Sequence, residues 1–546
     1  MKNKVNLTWR GWKAFLVTFS LIALVHVILI LAYGMKKEGY HEDEYYSFWS
    51  SAGYADLMPN GYYDWRTGSE LMEQFYVRPG DEFNFEAVIY NQILDSHPPL
   101  YHLSMNVVMS LFPGRLYKWL GIGLNALYSL ASLLGVTFLF YQIGDEKHKS
   151  QNALVAATLY AIGPSVISSV MFIRMYAMTS MLNVWYACAL LMAIKNLGKN
   201  KKKFAMWTIL GAAICYMSLL THYFCLLLPG VLTIFACIYV MLKRKNILQM
   251  ALYGMSMLAG IGLAVLSYPE AVRDISGDYR GNEVIDALHT NDFAHRANFF
   301  SGLLNKEAFG GMLPVICIVL VLAMMAAIIL IVRHWKLLTC EERSFWYVYG
   351  SMIISCVISA LVLIKISLFL NDGCRYFYPV LALFIPLAGC FVIKVARFAM
   401  KYVKCNISSK QGAVIGVFAV FVLMVPYLTG HMKGEVKFLY ESEAEKIAFA
   451  EEYKEYPLVL LCDRDNMHRT WFRADQIWSF HNIFYTDYEH IMVDTFDEPT
   501  IQSADKLVVF MDAPVDAVQK LVDINPNLDT YRLIRHDEYY YVYLLE

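Results

Sequence analysis

The segment HEDEYYSFWSS, residues 41–51, places three consecutive carboxylates, Glu42, Asp43 and Glu44, directly after about twenty apolar residues. Carboxylates are costly beside a bilayer, and they are groups that can take a proton from a reacting substrate. Farther along come His97 in DSHPPL, Arg174 and Tyr176 in FIRMY, His222 in THYF, and Arg375 and Tyr376 in NDGCRY. Guanidinium groups pair with phosphate or carboxylate oxygens bidentately. Taken singly, each has a plain reading: a solvated acidic loop, an arginine snorkelling to the interface, a histidine satisfied at a helix end. Their weight depends on where the surrounding elements put them.

The chain has 546 residues, 58% of them hydrophobic, against roughly 45–50% in a soluble protein. It is a polytopic membrane protein. The formal net charge of −1 argues against a nucleic-acid partner. Most of the 11 cysteines sit inside apolar runs (Cys188, Cys215, Cys225, Cys237, Cys317, Cys356, Cys390) without paired or metal-type spacing. They read as small core residues, with no disulfide framework.

Apolar runs long enough to span a bilayer fall at 14–33, 118–143, 152–172, 175–194, 204–221, 223–242, 247–267, 312–332, 344–370, 376–394 and 411–430, about eleven in all. The first is longer than a signal-peptide core and lacks a cleavage site, so it is expected to be a retained helix. Lys and Arg stay cytoplasmic. The basic loops 195–204, 243–245, 333–336 and 394–410, with the N-terminus, therefore belong inside. Residues 98–113 are apolar but too short to cross. If they crossed, the later basic loops would change sides. They are expected to form a juxtamembrane or re-entrant helix within one long, acid-rich external region, 34–117.

This threading brings Glu42–Glu44, His97, the Arg174–Tyr176 junction, His222, the loop 268–310 and residues 371–376 to one side, the outer one. Polar residues from distant parts of the chain, all at one membrane face, are expected to share a cavity. The loop 268–310 is too long for a connector and is expected to cover that cavity. The aromatics of EYYSFW and GYYDW are expected mostly in an interfacial belt. After Gly430 the composition turns soluble. Segments 456–463, 490–496, 505–512 and 538–546 read as strands, and 441–456 and 514–524 as helices. The expected domains are thus a membrane domain, 1–430, and a small extracytoplasmic α/β domain, 431–546.

In order along residues 14–395, HEDEYYSFW, DSHPPLYHLSMNVVMSLFPG, GPSVISSVMFIRMYAM, THYFCLLLPG and CRYFYPVLALFIP resemble the motifs of the GT-C glycosyltransferases. The nearest likeness is to the bacterial protein-mannosyltransferase and aminoarabinose-transferase-like branch. The resemblance implies a multi-helix membrane enzyme of the bacterial plasma membrane. Such an enzyme would move a sugar from a polyprenyl-phosphate carrier to a cell-envelope acceptor on the outer face, with inversion.

In that chemistry a carboxylate takes the acceptor's proton, and fixed cations meet the charge growing on the departing phosphate. The resemblance implies Asp43 as the base and Glu44 as a neighbour that binds substrate or positions it. Glu42 is left without a role. Arg174 and Arg375 would bind phosphate, with hydroxyl donors from Tyr176 and Tyr376. His222 would bind phosphate or sugar. Pro98–Pro99 would fix an extended entry to a helix, with His97 facing the cavity. A divalent metal held by carboxylates and His97 or His222 is left open, since no metal-ligand spacing occurs in the outer loops. A transporter or flippase of lipid-linked glycans, or an envelope scaffold, is the alternative. No inverted repeat of the transporter kind is visible.

Overall fold

The computed structural model describes residues 9–54, 63–144, 148–243, 246–277, 279–402, 409–462, 474–493, 496–512, 516–537 and 540–546. The basic residues within 1–8, 244–245 and 403–408, and Tyr62 of GYYDW, lie outside the described residues. The chain forms two compact units. One comprises 1–35, 95–101 and 121–437; the other comprises 36–94, 102–120 and 438–546. Their division differs from a simple cut at residue 430, because most of the first long loop groups with the C-terminal residues.

The first unit is helical. Among the described residues, 8 helices are long and apolar enough to cross a membrane. A bent pair, Lys149–Ala161 and Pro164–Met171, makes up to 9. Two more expected spans form the helices Lys201–Leu219 and Ser409–Met432, which fall outside that count. Helices pack tightly where side chains are small. A Cβ on Gly260 would lie 2.3 Å from the Ala212 carbonyl oxygen, so only glycine lets the helices Ile247–Ser267 and Lys201–Leu219 approach so closely. The expected covering loop is three helices, Glu270–Ser276, Tyr279–His289 and Phe293–Glu307.

The bent pair has a local cause. Pro164 cannot donate a backbone hydrogen bond, and the two halves meet at 53°. A break in a span frees carbonyls that must find donors. His26 Nδ1 lies 2.7 Å from the Ala161 oxygen, and His431 Nε2 lies 2.8 Å from the Ile162 oxygen. Each histidine is fixed in turn: His26 Nε2 by Ser129, His431 Nδ1 by Tyr33, both at 2.8 Å. The second half-helix ends at Met171 and releases the chain into Phe172–Met175, the turn that carries Arg174. Asn125 Nδ2 holds that turn by donating to the carbonyls of Val170 and Phe172, at 3.3 and 2.8 Å.

The second unit is built on a six-stranded sheet: β1 (Trp65–Arg66), β2 (Leu458–Leu461), β3 (Ile483–Thr486), β4 (Leu507–Met511), β5 (Tyr531–His536) and β6 (Tyr541–Leu545), in the order β1-β3-β2-β4-β6-β5. The centre, β3-β2-β4, is parallel; β1, β6 and β5 join antiparallel. Parallel strands buried on both faces read as unbroken apolar runs, and Leu458–Leu461 and Leu507–Met511 are buried throughout. β1 comes from the first loop, so that loop supplies an edge of the C-terminal sheet.

The helices Glu443–Tyr453 and Ala517–Ile524 lie within the expected ranges. The described residues of the strand expected at 490–496 do not form one, and 494–495 lie outside the described residues. Asp487 caps a short helix there, Tyr488–Met492, by accepting from His490 N at 2.7 Å. β3 and β5 arise from stretches not read as strands.

Candidate functional site

In the helical unit the HPP segment presents a short polar chain. Asp95 Oδ2 lies 3.0 Å from His97 Nδ1, and His97 Nε2 lies 3.1 Å from an Arg174 Nη. A guanidinium can only donate. His97 Nε2 must therefore accept, which leaves the imidazole proton on Nδ1 to donate to Asp95. Burial pushes the Asp95 carboxyl up, but His97, the Ser96 N–H and Arg174 outweigh it and hold the group well below the usual carboxylate range. Leu100 N donates to the Leu220 carbonyl at 2.8 Å, tying the entry of this helix to the segment that carries His222. Pro98 and Pro99 keep that entry extended.

Arg174 is 3% exposed and Arg375 6%. Arg375 lies on a one-turn 3-10 segment, Gly373–Phe377, and pairs with Asp372. Its guanidinium sits 5.4 Å from the Phe172 ring centroid and 5.3 Å from that of Tyr376. Phe172 stacks on Tyr176 at 5.7 Å; Tyr176 lies 5.8 Å from His222 and 6.1 Å from Tyr376. Burial first, then His97, Arg174 and Arg375, pull His222 down to about 3, so it is neutral. Its Nδ1 accepts from Phe224 N at 3.1 Å, which leaves the proton on Nε2.

The structure thus brings His97, Arg174, Tyr176, His222, Arg375 and Tyr376 together. Of these, Tyr176, His222 and Tyr376 also line a narrow, water-sized cavity with Thr179, Asn183 and Phe224. Two arginines beside a neutral imidazole and three rings can bind an anion. Sequence reading missed Asp95 and Asn183. Asp95 was legible only as an acid two residues before His97. Asn183 was hidden as one polar residue in a span.

Segment 268–310 meets the same segments. Tyr223 donates to Asp274 at 2.6 Å, and Asp274 pairs with Arg273 at 3.0 Å. An Arg273 Nη also reaches the Asp95 carbonyl at 3.5 Å.

Asp43 and Glu44 belong to the other unit, on the helix Glu42–Ala52. His41 caps it: its Nδ1 accepts from Asp43 N at 3.0 Å, and Glu44 Oε2 accepts from His41 N at 2.6 Å. Glu44 also pairs with Lys37 at 2.9 Å, and both side chains are fully buried. Lys37 in turn donates to the Phe438 carbonyl at 2.6 Å. Glu44 is therefore consumed by the cap and the ion pair, whereas the Asp43 side chain keeps 24% of its surface exposed. Tyr45, Phe48 and Trp49 are not an interfacial belt; they are buried and anchor the helix. Ser50 bonds His102 at 2.8 Å, and Asn91 and Asn106 donate to the carbonyls of Gly53 and Ser51, at 2.6 and 2.9 Å. Among the described residues, no group of three or more His, Cys, Asp or Glu is placed to hold a metal.

No protein-family model and no curated protein matches the chain. Solved structures do. The apo oligosaccharyltransferase of Archaeoglobus fulgidus aligns over 95% of this chain and 72% of its own, at 11% identity and TM-score 0.50. ArnT of Cupriavidus metallidurans bound to undecaprenyl phosphate aligns over 98% of both chains, at 12% identity and TM-score 0.49. At such identity the likeness is one of fold: the chain has the polytopic GT-C fold.

Proposed function

From the GT-C fold, we propose that this chain is a glycosyltransferase of the bacterial plasma membrane. It transfers a hexosyl or pentosyl group from a polyprenyl-phosphate donor to a cell-envelope acceptor on the outer face, with inversion. In this reading the N-terminus is cytoplasmic, and the active site and C-terminal domain are extracytoplasmic. The observation that carries the reading is the gathering of buried Arg174 and Arg375 with neutral His222 beside the rings of Phe172, Tyr176 and Tyr376.

The acceptor's hydroxyl or amine attacks the anomeric carbon, and Asp43 takes its proton. The bond from that carbon to the phosphate oxygen breaks, and polyprenyl phosphate leaves with the electron pair. Charge grows on the phosphate as the bond breaks. Donors whose positions are already fixed stabilise such charge most in a dry site. Arg375, Arg174 and the Nε2–H of His222 are those donors. Glu44 is a positioning residue that fixes the helix presenting Asp43. A flippase would need the same anion site but no base.

Undecaprenyl phosphate should bind the purified protein, and Arg375→Ala should weaken it by roughly 10- to 100-fold, the range of one charge-assisted bond set. Unchanged binding would return Arg375 to an interfacial residue whose head seeks water.

A further inference from the structure

The chain enters its C-terminal domain through a turn with an uncommon backbone. Phe438 and Tyr440 take φ of 65° and 52°, in the left-handed region that a bulky L residue rarely adopts. Such conformations persist only where the surrounding contacts over-determine them. Here those contacts include residues 37–41, just ahead of the helix Glu42–Ala52. Lys37 Nζ donates to the Phe438 carbonyl at 2.6 Å, and Glu38 N donates to the Leu439 carbonyl at 2.8 Å. The same ammonium lies 5.3 Å from the Tyr440 ring centroid. The His41 ring meets that of Phe438 edge to face at 6.1 Å and lies 6.4 Å from that of Tyr440.

The sheet backs the same stretch. A Cβ on Gly39 would lie 2.7 Å from Glu443 Cγ, so only glycine lets the chain pass there. Glu443 is held by Lys446 at 2.8 Å and by Gln476 Nε2 at 2.7 Å. Gln476 Oε1 accepts in turn from Arg535 of β5 at 2.7 Å. A run of contacts thus leads from the edge strand of the sheet to the approach of the helix.

The acid lies two residues beyond His41. His41 Nδ1 accepts from Asp43 N at 3.0 Å and stands 3.8 Å from an Asp43 carboxylate oxygen. A plain linker between a span and a domain would be served by glycine at both left-handed positions, at no steric cost. Two aromatic side chains kept there against that cost contribute their rings. A helix that presents a base needs a fixed angle, because a displacement of about 1 Å at a reacting group can cost roughly 100-fold in rate.

We propose that Phe438 and Tyr440 are positioning residues for Asp43, acting through Lys37 and His41, and that the C-terminal domain thereby aims the base. The assignment rests on the transferase reading above, with Asp43 as the base.

Transfer of labelled mannose, glucose or arabinose from undecaprenyl phosphate, by full-length protein in membranes of equal protein content, reads the effect. His41→Ala should lower kcat about 10-fold or more and leave the donor KM within about twofold. His41→Asn, whose side-chain oxygen can accept from Asp43 N, should recover most of that loss. Tyr440→Gly relaxes the backbone and removes the ring; it should lower kcat in the same way, and Tyr440→Phe should recover it. In the Asp43→Asn background, His41→Ala and Tyr440→Gly should each lower kcat by no more than about twofold further, because effects that pass through one residue do not add. Unchanged kcat in either His41→Ala or Tyr440→Gly would overturn the proposal. So would a loss confined to KM, or the same fold loss in the Asp43→Asn background. Asp43→Asn that transfers at the wild-type rate would instead overturn the base assignment beneath it, and wild type that transfers none of the three sugars would overturn the transferase reading.

Discussion

His97 Nε2 accepts a hydrogen bond from Arg174 across 3.1 Å. This relationship orders the rim of the site, because it holds only while the imidazole proton stays on the far nitrogen, facing Asp95. The acid sets the tautomer, and the tautomer aims the arginine.

Asp95→Asn should disturb that order without removing bulk. Asparagine can offer an N–H to His97 Nδ1, moving the proton to Nε2, where it confronts Arg174. The expected result is a donor KM raised about 10-fold, with a smaller change in kcat, as when ground-state binding is lost. Asp95→Glu should recover part of it. Because folding depresses the Asp95 pKa, its stabilising share is complete above the unfolded value, about 4. It is lost as pH falls below that value toward the folded one. Melting followed from pH 6 down to pH 3 should therefore separate wild type from Asp95→Asn mainly above pH 4.

Lys37 and Glu44 form a fully buried ion pair. Lys37→Met alone leaves a buried carboxylate without its counter-ion and should cost about 3–5 kcal/mol. The double variant Lys37→Met/Glu44→Gln keeps the cap on His41 N and should recover most of that loss. Unfolding in detergent measures both. Additive losses would show that the pair does not hold this helix.

Glu307 ends the helix Phe293–Glu307 and is 4% exposed, with Lys437 Nζ at 3.8 Å. Burial pushes its carboxyl up to about 7, partly opposed by Lys437. A raised acid stabilises the fold through its protonated form. That contribution is whole below the unfolded pKa, about 4.3, and is lost as pH rises through 7. Glu307→Gln should therefore gain on wild type between pH 5 and 8, by about 3 kcal/mol at most. A constant difference across that range would contradict the raised pKa.

Much of this was legible in the sequence. The apolar runs, the short helix at 100–110 and the grouping of five distant polar segments follow from hydropathy and charge. His97, Arg174, Tyr176, His222, Arg375 and Tyr376 do meet. What was hidden depends on tertiary pairing. The bend after Ala161 needs His26 and His431, from spans 135 and 269 residues away from their carbonyl partners. Glu44 looked like a twin of Asp43 until Lys37 closed on it. β1, two residues long, carries no alternation, and the strand expected at 490–496 yielded to the Asp487 cap.

Transfer of labelled sugar from undecaprenyl-phosphate donors, by wild type and Asp43→Asn in membranes of equal protein content, tests the central claim most directly. The account predicts transfer by wild type from at least one such donor. It predicts a fall of at least 100-fold in the variant, as loss of a general base gives, with donor binding retained. Transfer by Asp43→Asn at the wild-type rate would contradict Asp43 as the base, and no transfer by wild type from any such donor would contradict the enzyme itself.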